Sequence, residues 1–336
     1  MEDFSGWMNK YQSQWRRKHL SCPEWDWFNG RQYEWILPLH LWEQGLWPGI
    51  RSDGQCPLTE YILENRIHKH DDCNNLKSGW VHCANLYFPF GQTDFGRHLL
   101  AGFLRANVCA NVMSVDKVEL EYAEAGDLHP SVLLGEIGGS RGIGQTSPDL
   151  GLLVNAAQGL ILVESKFTER NFEPCSAKIG KGRSLPPNPD QSRCKNPLAG
   201  LDAERECHQV TWHRRYWEHL APVVNVDVMS KLKCCPAARA GYQLLRQQAL
   251  AEGIANSGKY DLVVSCVAMD FRNEALLTCL NSTGIADVRD WGKLFNGKAK
   301  FAVWDHQQWV TWVEKKDTAG EWRDWLQYVK CRYGYV

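Results

Sequence analysis

The 336-residue chain carries 38 Lys and Arg against 39 Asp and Glu, a formal charge of −1. That balance excludes a globally basic nucleic-acid coat protein and leaves room for a local basic patch. No apolar run approaches a membrane span, and the opening MEDFSGWMNKYQSQWRRKHL lacks a signal-peptide core, so a cytoplasmic protein with no membrane partner is expected.

Residues 1–75 mix tryptophan, charge and turn residues without strand alternation and read as a partly helical, aromatic-rich extension. The remainder, 76–336, reads as one domain. Within it Phe95, Leu99, Leu100 and Phe103 repeat at helical spacing over 95–108. VDKVELEYAEAG then reads as a strand and LHPSVLLGEI (128–137) as a short helix. Two branched apolar runs, DLGLLV (149–154) and GLILVESKF (159–167), are joined by NAAQG at hairpin length. A loop full of Gly, Pro and basic residues covers 178–200, a size that loops reach mainly for function. Helical patterns follow at 208–220 and 238–256, and YDLVVSCVAM (260–269) is a buried strand. NEALLTCLNS reads as a short helix, FAVWDHQQWVTWVEK as one or two late strands, and EWRDWLQYVKCRY as a helix. Alternating strands and helices predict an α/β or mixed α+β layer fold.

GGSRGIG at 138–144 has the look of a dinucleotide phosphate loop. Such a loop works only between a buried strand and a helix whose N-terminus faces the pyrophosphate. Here Pro148 falls where the second turn of that helix would be, and no Tyr-x-x-x-Lys pair follows. The glycines are better read as a tight connection before a strand.

The following hairpin is richer in chemistry. Glu164 and Lys166 are two residues apart near the end of an apolar strand and leave it on one face. The hairpin can bring Asp149 beside them. Polar groups ending such a strand are costly to bury without a purpose. Two converging carboxylates make a hard-oxygen site for Mg²⁺ or Mn²⁺, which polarises phosphate oxygens and acidifies bound water. A neighbouring lysine can orient that water or neutralise developing charge.

Pro148-Asp149 with Glu164-Ser165-Lys166 resembles the two signature elements of the PD-(D/E)XK nuclease superfamily. The resemblance spans about 118–270 and extends, through LLGEIGGSRGIGQTSPD, CHQVTWHRRYW and CCPAARAGYQLLRQ, to putative bacterial restriction endonucleases. It implies a restriction-endonuclease-like mixed sheet flanked by helices. It also implies that Asp149 and Glu164 bind metal, that the Ser165 backbone carbonyl adds a ligand, and that Lys166 assists the attacking water. Glu136 would be the further acid that many members carry on a preceding helix. A second acid-x-Lys triplet, Glu314 and Lys316 with Asp305 upstream, has too short a separation for a hairpin and lacks the Pro-Asp.

Lys178, Lys181, Arg183, Arg193 and Lys195 crowd the loop after the site and could hold phosphates; the alternative is an ordinary solvated loop. Thirteen cysteines, an odd count without a secretion signal, argue against a disulfide framework. Cys175, Cys194, Cys207 and Cys234 or Cys235 flank the basic segment, making 175–235 a Cys-containing loop. Four thiolates could bind Zn²⁺ or an iron–sulfur cluster, and free buried thiols are the alternative. The expected activity is Mg²⁺-dependent hydrolysis of DNA, in restriction of foreign DNA by analogy of family. A homodimer would suit double-strand cutting. The alternatives are a DNA-repair nuclease and a non-catalytic nucleic-acid-binding or defence scaffold with the same fold.

Overall fold

The structure is a computed structural model that describes residues 3–22, 24–28, 30–179 and 185–336. Helix α1 (Phe4–His19) starts at Asp3, whose side chain accepts from the Gly6 amide at 2.8 Å, and ends in Arg16, Arg17, Lys18 and His19. An anionic cap and a cationic last turn both suit the helix dipole. A short ribbon of β1 (Asp26–Phe28) and β2 (Arg31–Tyr33) follows, then α2 (Leu58–Glu64), α3 (Gly79–Tyr87) and α4 (Asp94–Asn107). Met8, Trp42 and Leu46 from this aromatic-rich segment share one apolar cluster with Trp309, Trp325 and Tyr333 near the other end of the chain. Gln12 Nε2 donates to the Arg332 carbonyl at 2.8 Å across that contact.

A five-stranded sheet lies at the centre, with β3 (Val115–Leu120), β4 (Leu150–Val154), β5 (Gly159–Lys166), β6 (Leu262–Met269) and β7 (Lys300–Asp305) in that spatial order. β3, β4 and β5 are antiparallel, whereas β5, β6 and β7 are parallel. The fold is therefore the mixed α/β sheet with flanking helices that the sequence predicts. Parallel β5 and β6 need a long crossover, and it contains α5 (Tyr242–Ser257). Every residue of β5 and of β6 is buried, as unbroken apolar runs require of strands covered on both faces. Ile161, Val163 and Phe167 face the cluster that includes α3 and α4 residues; Leu160 and Leu162 face the cluster that includes α5.

Three local expectations are corrected. The segment 301–315 holds only one strand: β7 stops at Asp305, and α6 (His306–Lys316) begins there. Asp305 and Gln308 form a capping box, and Trp309, Val310 and Val313 are buried at helical spacing, so end chemistry overrides the strand preference of Trp and Val. The segment 208–220 is two short helices, His208–Thr211 and Tyr216–Leu220, interrupted at His213, whose φ is +60°. The segment 128–137 is α-helical only over Pro130–Leu133, since the chain turns at Gly135 with φ +67°. The tail is helix α7 (Arg323–Tyr333) as expected. Among the described residues no helix is long and apolar enough to cross a membrane.

His306 ties the two halves together. Its Nε2 donates to the Lys166 carbonyl at 3.1 Å, and its Nδ1 accepts from the Tyr87 hydroxyl at 2.8 Å. A carbonyl only accepts, so this tautomer is forced. Burial pushes the imidazole down to about 4 against the pull of Asp270 and the carbonyl bond. Burial and the neighbouring His306 also lower His82, which stacks on Phe167 with ring centres 4.1 Å apart. Both rings stay neutral in the fold, whereas the unfolded chain takes up protons below the ordinary value of 6.5. Stability is therefore fully present above that pH and is lost as pH falls toward 4, with His306 alone contributing about 3 kcal/mol. Urea denaturation between pH 7 and pH 4 should show this slope, and the His306→Phe variant should flatten part of it.

Candidate active site

The hairpin register sets the site. Leu150 pairs with Val163, so Asp149, one residue earlier, stands opposite Glu164. β4 starts at Leu150 while β5 continues to Lys166, which leaves the end of β5 with no strand on that side. The Asp149 side chain takes the missing partner's place, with its Oδ2 accepting from the Ser165 amide at 2.6 Å. The N–H and C=O of one strand residue point the same way, so the Ser165 carbonyl faces this edge too. Glu164 and Lys166 share a face, and Lys166 Nζ lies 2.6 Å from Glu164 Oε1, with side chains only 8% and 11% exposed for Lys166 and Glu164.

Electrostatics at this point are lopsided. Burial opposes the Lys166 charge, yet Glu164, Glu169 and Asp149 outweigh it and hold the ammonium well above the usual lysine range. Burial, then Glu164 and Glu121, push the Asp149 carboxyl well above the usual carboxylate range, against Lys166 and the Ser165 amide. Several carboxylates thus crowd the Lys166 ammonium.

Two residues at this cluster, Glu121 and His70, are not among those the sequence reading singles out. Glu121 follows β3, is buried, and adopts φ +48°; its amide donates to the Asp149 carbonyl at 3.0 Å. Such a conformation costs a non-glycine residue on the order of 1 kcal/mol and persists only where surroundings enforce it. His70 stands at the rim, a third exposed, with Nε2 2.9 Å from Glu121 Oε1. Burial opposes its protonation, but Glu121, Asp149 and Asp72 raise it to about 9. An acid just past the strand beside Asp149 was a usable clue to Glu121. His70 lies in HKHDD, which has no periodicity to read.

The glycine-rich loop holds Glu121 in place. Arg141 donates to the Leu120 and Glu121 carbonyls at 2.6 and 2.9 Å. Gly142, at φ +83°, passes so close that an added Cβ would sit 2.5 Å from the His68 carbonyl and 3.5 Å from Glu121. No helix follows: residues 145–148 are irregular and then enter β4. The helix N-terminus that a dinucleotide would need is missing.

Glu136 is not on a helix, contrary to expectation. It lies in the coil after Leu133, where the fold engages both its oxygens. The Thr146 amide donates to it at 2.5 Å, the Thr146 hydroxyl at 2.7 Å and the Tyr216 hydroxyl at 2.6 Å. Arg246 of α5 is 4.0 Å away and 5.0 Å from the Tyr242 ring centre. Burial opposes the Arg246 charge, but Tyr242, Tyr216, Glu136 and Glu164 sustain it. Arg246 therefore senses Glu136 and Glu164 together. The second triplet lies on α6, where residues two apart diverge; Glu314 pairs with Lys330 at 2.7 Å.

Of the loop cations, Lys181 and Arg183 lie outside the described residues. Lys178 donates to Gln191 Oε1 at 3.5 Å, Arg193 is engaged by the Arg205 carbonyl and by Asp190, and Lys195 is exposed. Among the described residues no three His, Cys, Asp or Glu side chains are arranged to hold a metal ion as they stand. The oxygens available at the hairpin are the Asp149 and Glu164 carboxylates and the Ser165 carbonyl. That is a hard-oxygen set of the kind small divalent cations take.

The profile of a family described as "Restriction Endonuclease associating with ARP" matches residues 8–334. Neither the curated proteins nor the solved structures compared with the chain give a match.

The environment of Glu136 yields a stability test. Glu136→Ala leaves Arg246 less compensated and strands the Tyr216 hydroxyl and the Thr146 amide, so unfolding free energy should fall by about 3 kcal/mol. Glu136→Gln keeps an acceptor and should lose less. Urea titration at pH 7 compares the two.

Proposed function

The chain belongs to this restriction-endonuclease family, and from that premise we propose that it is a metal-dependent endonuclease of the PD-(D/E)XK type. Its substrate is DNA, and its role is defence against foreign DNA. The observation that carries the reading is the meeting of Asp149 with Glu164 and Lys166 at an unpaired strand edge.

Asp149, Glu164 and the Ser165 carbonyl would hold Mg²⁺ or Mn²⁺. A bound ion supplies Lewis acidity to a phosphate oxygen and makes its water a better nucleophile at neutral pH. Lys166 keeps its proton among these acids, so it acts as a fixed positive charge and not as a base. It orients the attacking water and offsets charge that builds on the phosphate oxygens. His70 is cationic at neutral pH and reaches the rim, where it can hold a phosphate next to the reacting one. Glu136 and Arg246 act as positioning residues behind Glu164. A scaffold that only binds DNA has no use for two acids and a lysine converging in this way, and the burial they endure is costly.

Plasmid cleavage with Mg²⁺ or Mn²⁺ tests the reading. Asp149→Asn and Lys166→Ala should each lower the cleavage rate about 100-fold or more while circular dichroism stays unchanged. EDTA should abolish cleavage. A well-folded wild-type chain that binds neither cation and cuts no DNA would move the assignment to the scaffold.

A further inference from the structure

Away from the hairpin, four chain segments meet near the start of α5, carrying Cys175, Cys194, Cys207 and the adjacent Cys234 and Cys235. The Cys175 amide donates to the Ala237 carbonyl at 3.0 Å, and the Cys235 amide donates to the Cys194 carbonyl at 3.0 Å. Cys207 opens the turn that carries Gln209. Gln209 Nε2 reaches back to Cys175 Sγ at 3.2 Å and to the Tyr242 hydroxyl at 3.0 Å. Backbone and side-chain contacts thus fix all four segments against one another. The thiols of Cys175, Cys194, Cys207 and Cys235 lie close enough that every pairing among them interacts electrostatically. Cys175 is buried and the other three are half-buried, and none forms a disulfide.

Burial pushes the Cys194 thiol up to about 11, the Cys207 thiol up to about 12 and the Cys235 thiol well above the usual range, so a metal would have to displace their protons. An amide N–H aimed at Cys175 Sγ is a weak contact for a thiol and a strong one for a thiolate. Lys178 lies near Cys194. Its charge would offset part of the negative charge of four thiolates around a metal. The lobe has little regular structure of its own. Between β5 and α5 it has no strand among its described residues, and its longest helix there is the five-residue Tyr216–Leu220. A cross-link from residue 175 to residue 235 closes a long loop, where such a clip contributes most.

We propose that Cys175, Cys194, Cys207 and Cys235 form a thiolate site for a soft metal centre, either zinc or an iron–sulfur cluster, that clips the lobe between β5 and α5. Cys234, with its basic neighbours, stays outside the site. The four thiols are not arranged to hold a metal as they stand, so loading turns them inward about χ1 while the backbone contacts hold. The clip bears on the hairpin through α5. The Tyr242 amide donates to the Glu173 carbonyl at 3.0 Å, and Arg246, one turn on, senses Glu164. The site does not depend on the nuclease reading, and metal content tests it without an activity assay.

The full chain is expressed with zinc and iron both supplied and purified anaerobically without chelator. Metals are measured by mass spectrometry, together with acid-labile sulfide and the visible spectrum. About one zinc per chain in a colourless protein supports the zinc form; iron with matching sulfide and a visible charge-transfer band supports the cluster. Cys194→Ser and Cys235→Ser should lose the metal almost completely, whereas Cys234→Ser and Cys266→Ser should retain it. Alkylation mapping of the wild-type chain guards against misfolded variants: the four thiols should be protected until a strong chelator is added. A wild-type chain free of zinc, iron and sulfide overturns the proposal. So does metal that survives in Cys194→Ser and Cys235→Ser, or that is lost equally in Cys234→Ser.

Discussion

The pairing of Leu150 with Val163 is the constraint on which the candidate site depends. It sets Asp149 opposite Glu164 and leaves the end of β5 open on one side. A slip by one residue would turn Glu164 and Lys166 toward the cluster of α3 and α4 and send Val163 and Phe167 the other way. β5 resists such a slip because both its faces are filled, by Ile161 and Val163 on one side and Leu160 and Leu162 on the other. Each such side chain contributes roughly 1.5–3 kcal/mol when buried. The apolar part of the strand thus holds its polar end in register.

That polar end is a concentration of negative charge held by the fold. Asp149, Glu164 and Glu121 gather from three adjacent strands or their ends, and burial with its two acidic neighbours pushes the Asp149 carboxyl well above the usual range. Three cations relieve it from different directions: Lys166 from the same strand, His70 from the segment before α3, and Arg246 from α5. The glycine-rich loop belongs to this arrangement. It supplies Arg141 to the end of β3 and a passage, at Gly142, that a side chain would block.

His306 adds a second link between the site and the core. Its neutral ring bonds the carbonyl of Lys166, and the Tyr87 hydroxyl on α3 bonds the ring. The end of β5 is therefore held by Asp149 on its open edge and by His306 from the start of α6. A restriction-endonuclease family profile that matches from residue 8 to residue 334 agrees with this economy, since Met8 and Tyr333 already share one core cluster.

The hairpin, its two acids and its lysine were legible in the sequence because they are local. Two apolar runs, a short joint and a period of two place Asp149 near Glu164 and Lys166 without reference to the rest of the molecule. The same local logic located α4, α5, β6 and α7. It failed at α6, where a capping box at Asp305 turned a Trp- and Val-rich run into a helix. Tertiary structure alone decided the remainder. It set Glu136 beside Tyr216 and Arg246 in a coil, brought His70 to Glu121, and placed Cys235 near Cys175, Cys194 and Cys207. The physical reason is that periodicity reports which face of an element is buried, whereas the neighbour it is buried against depends on segments far along the chain.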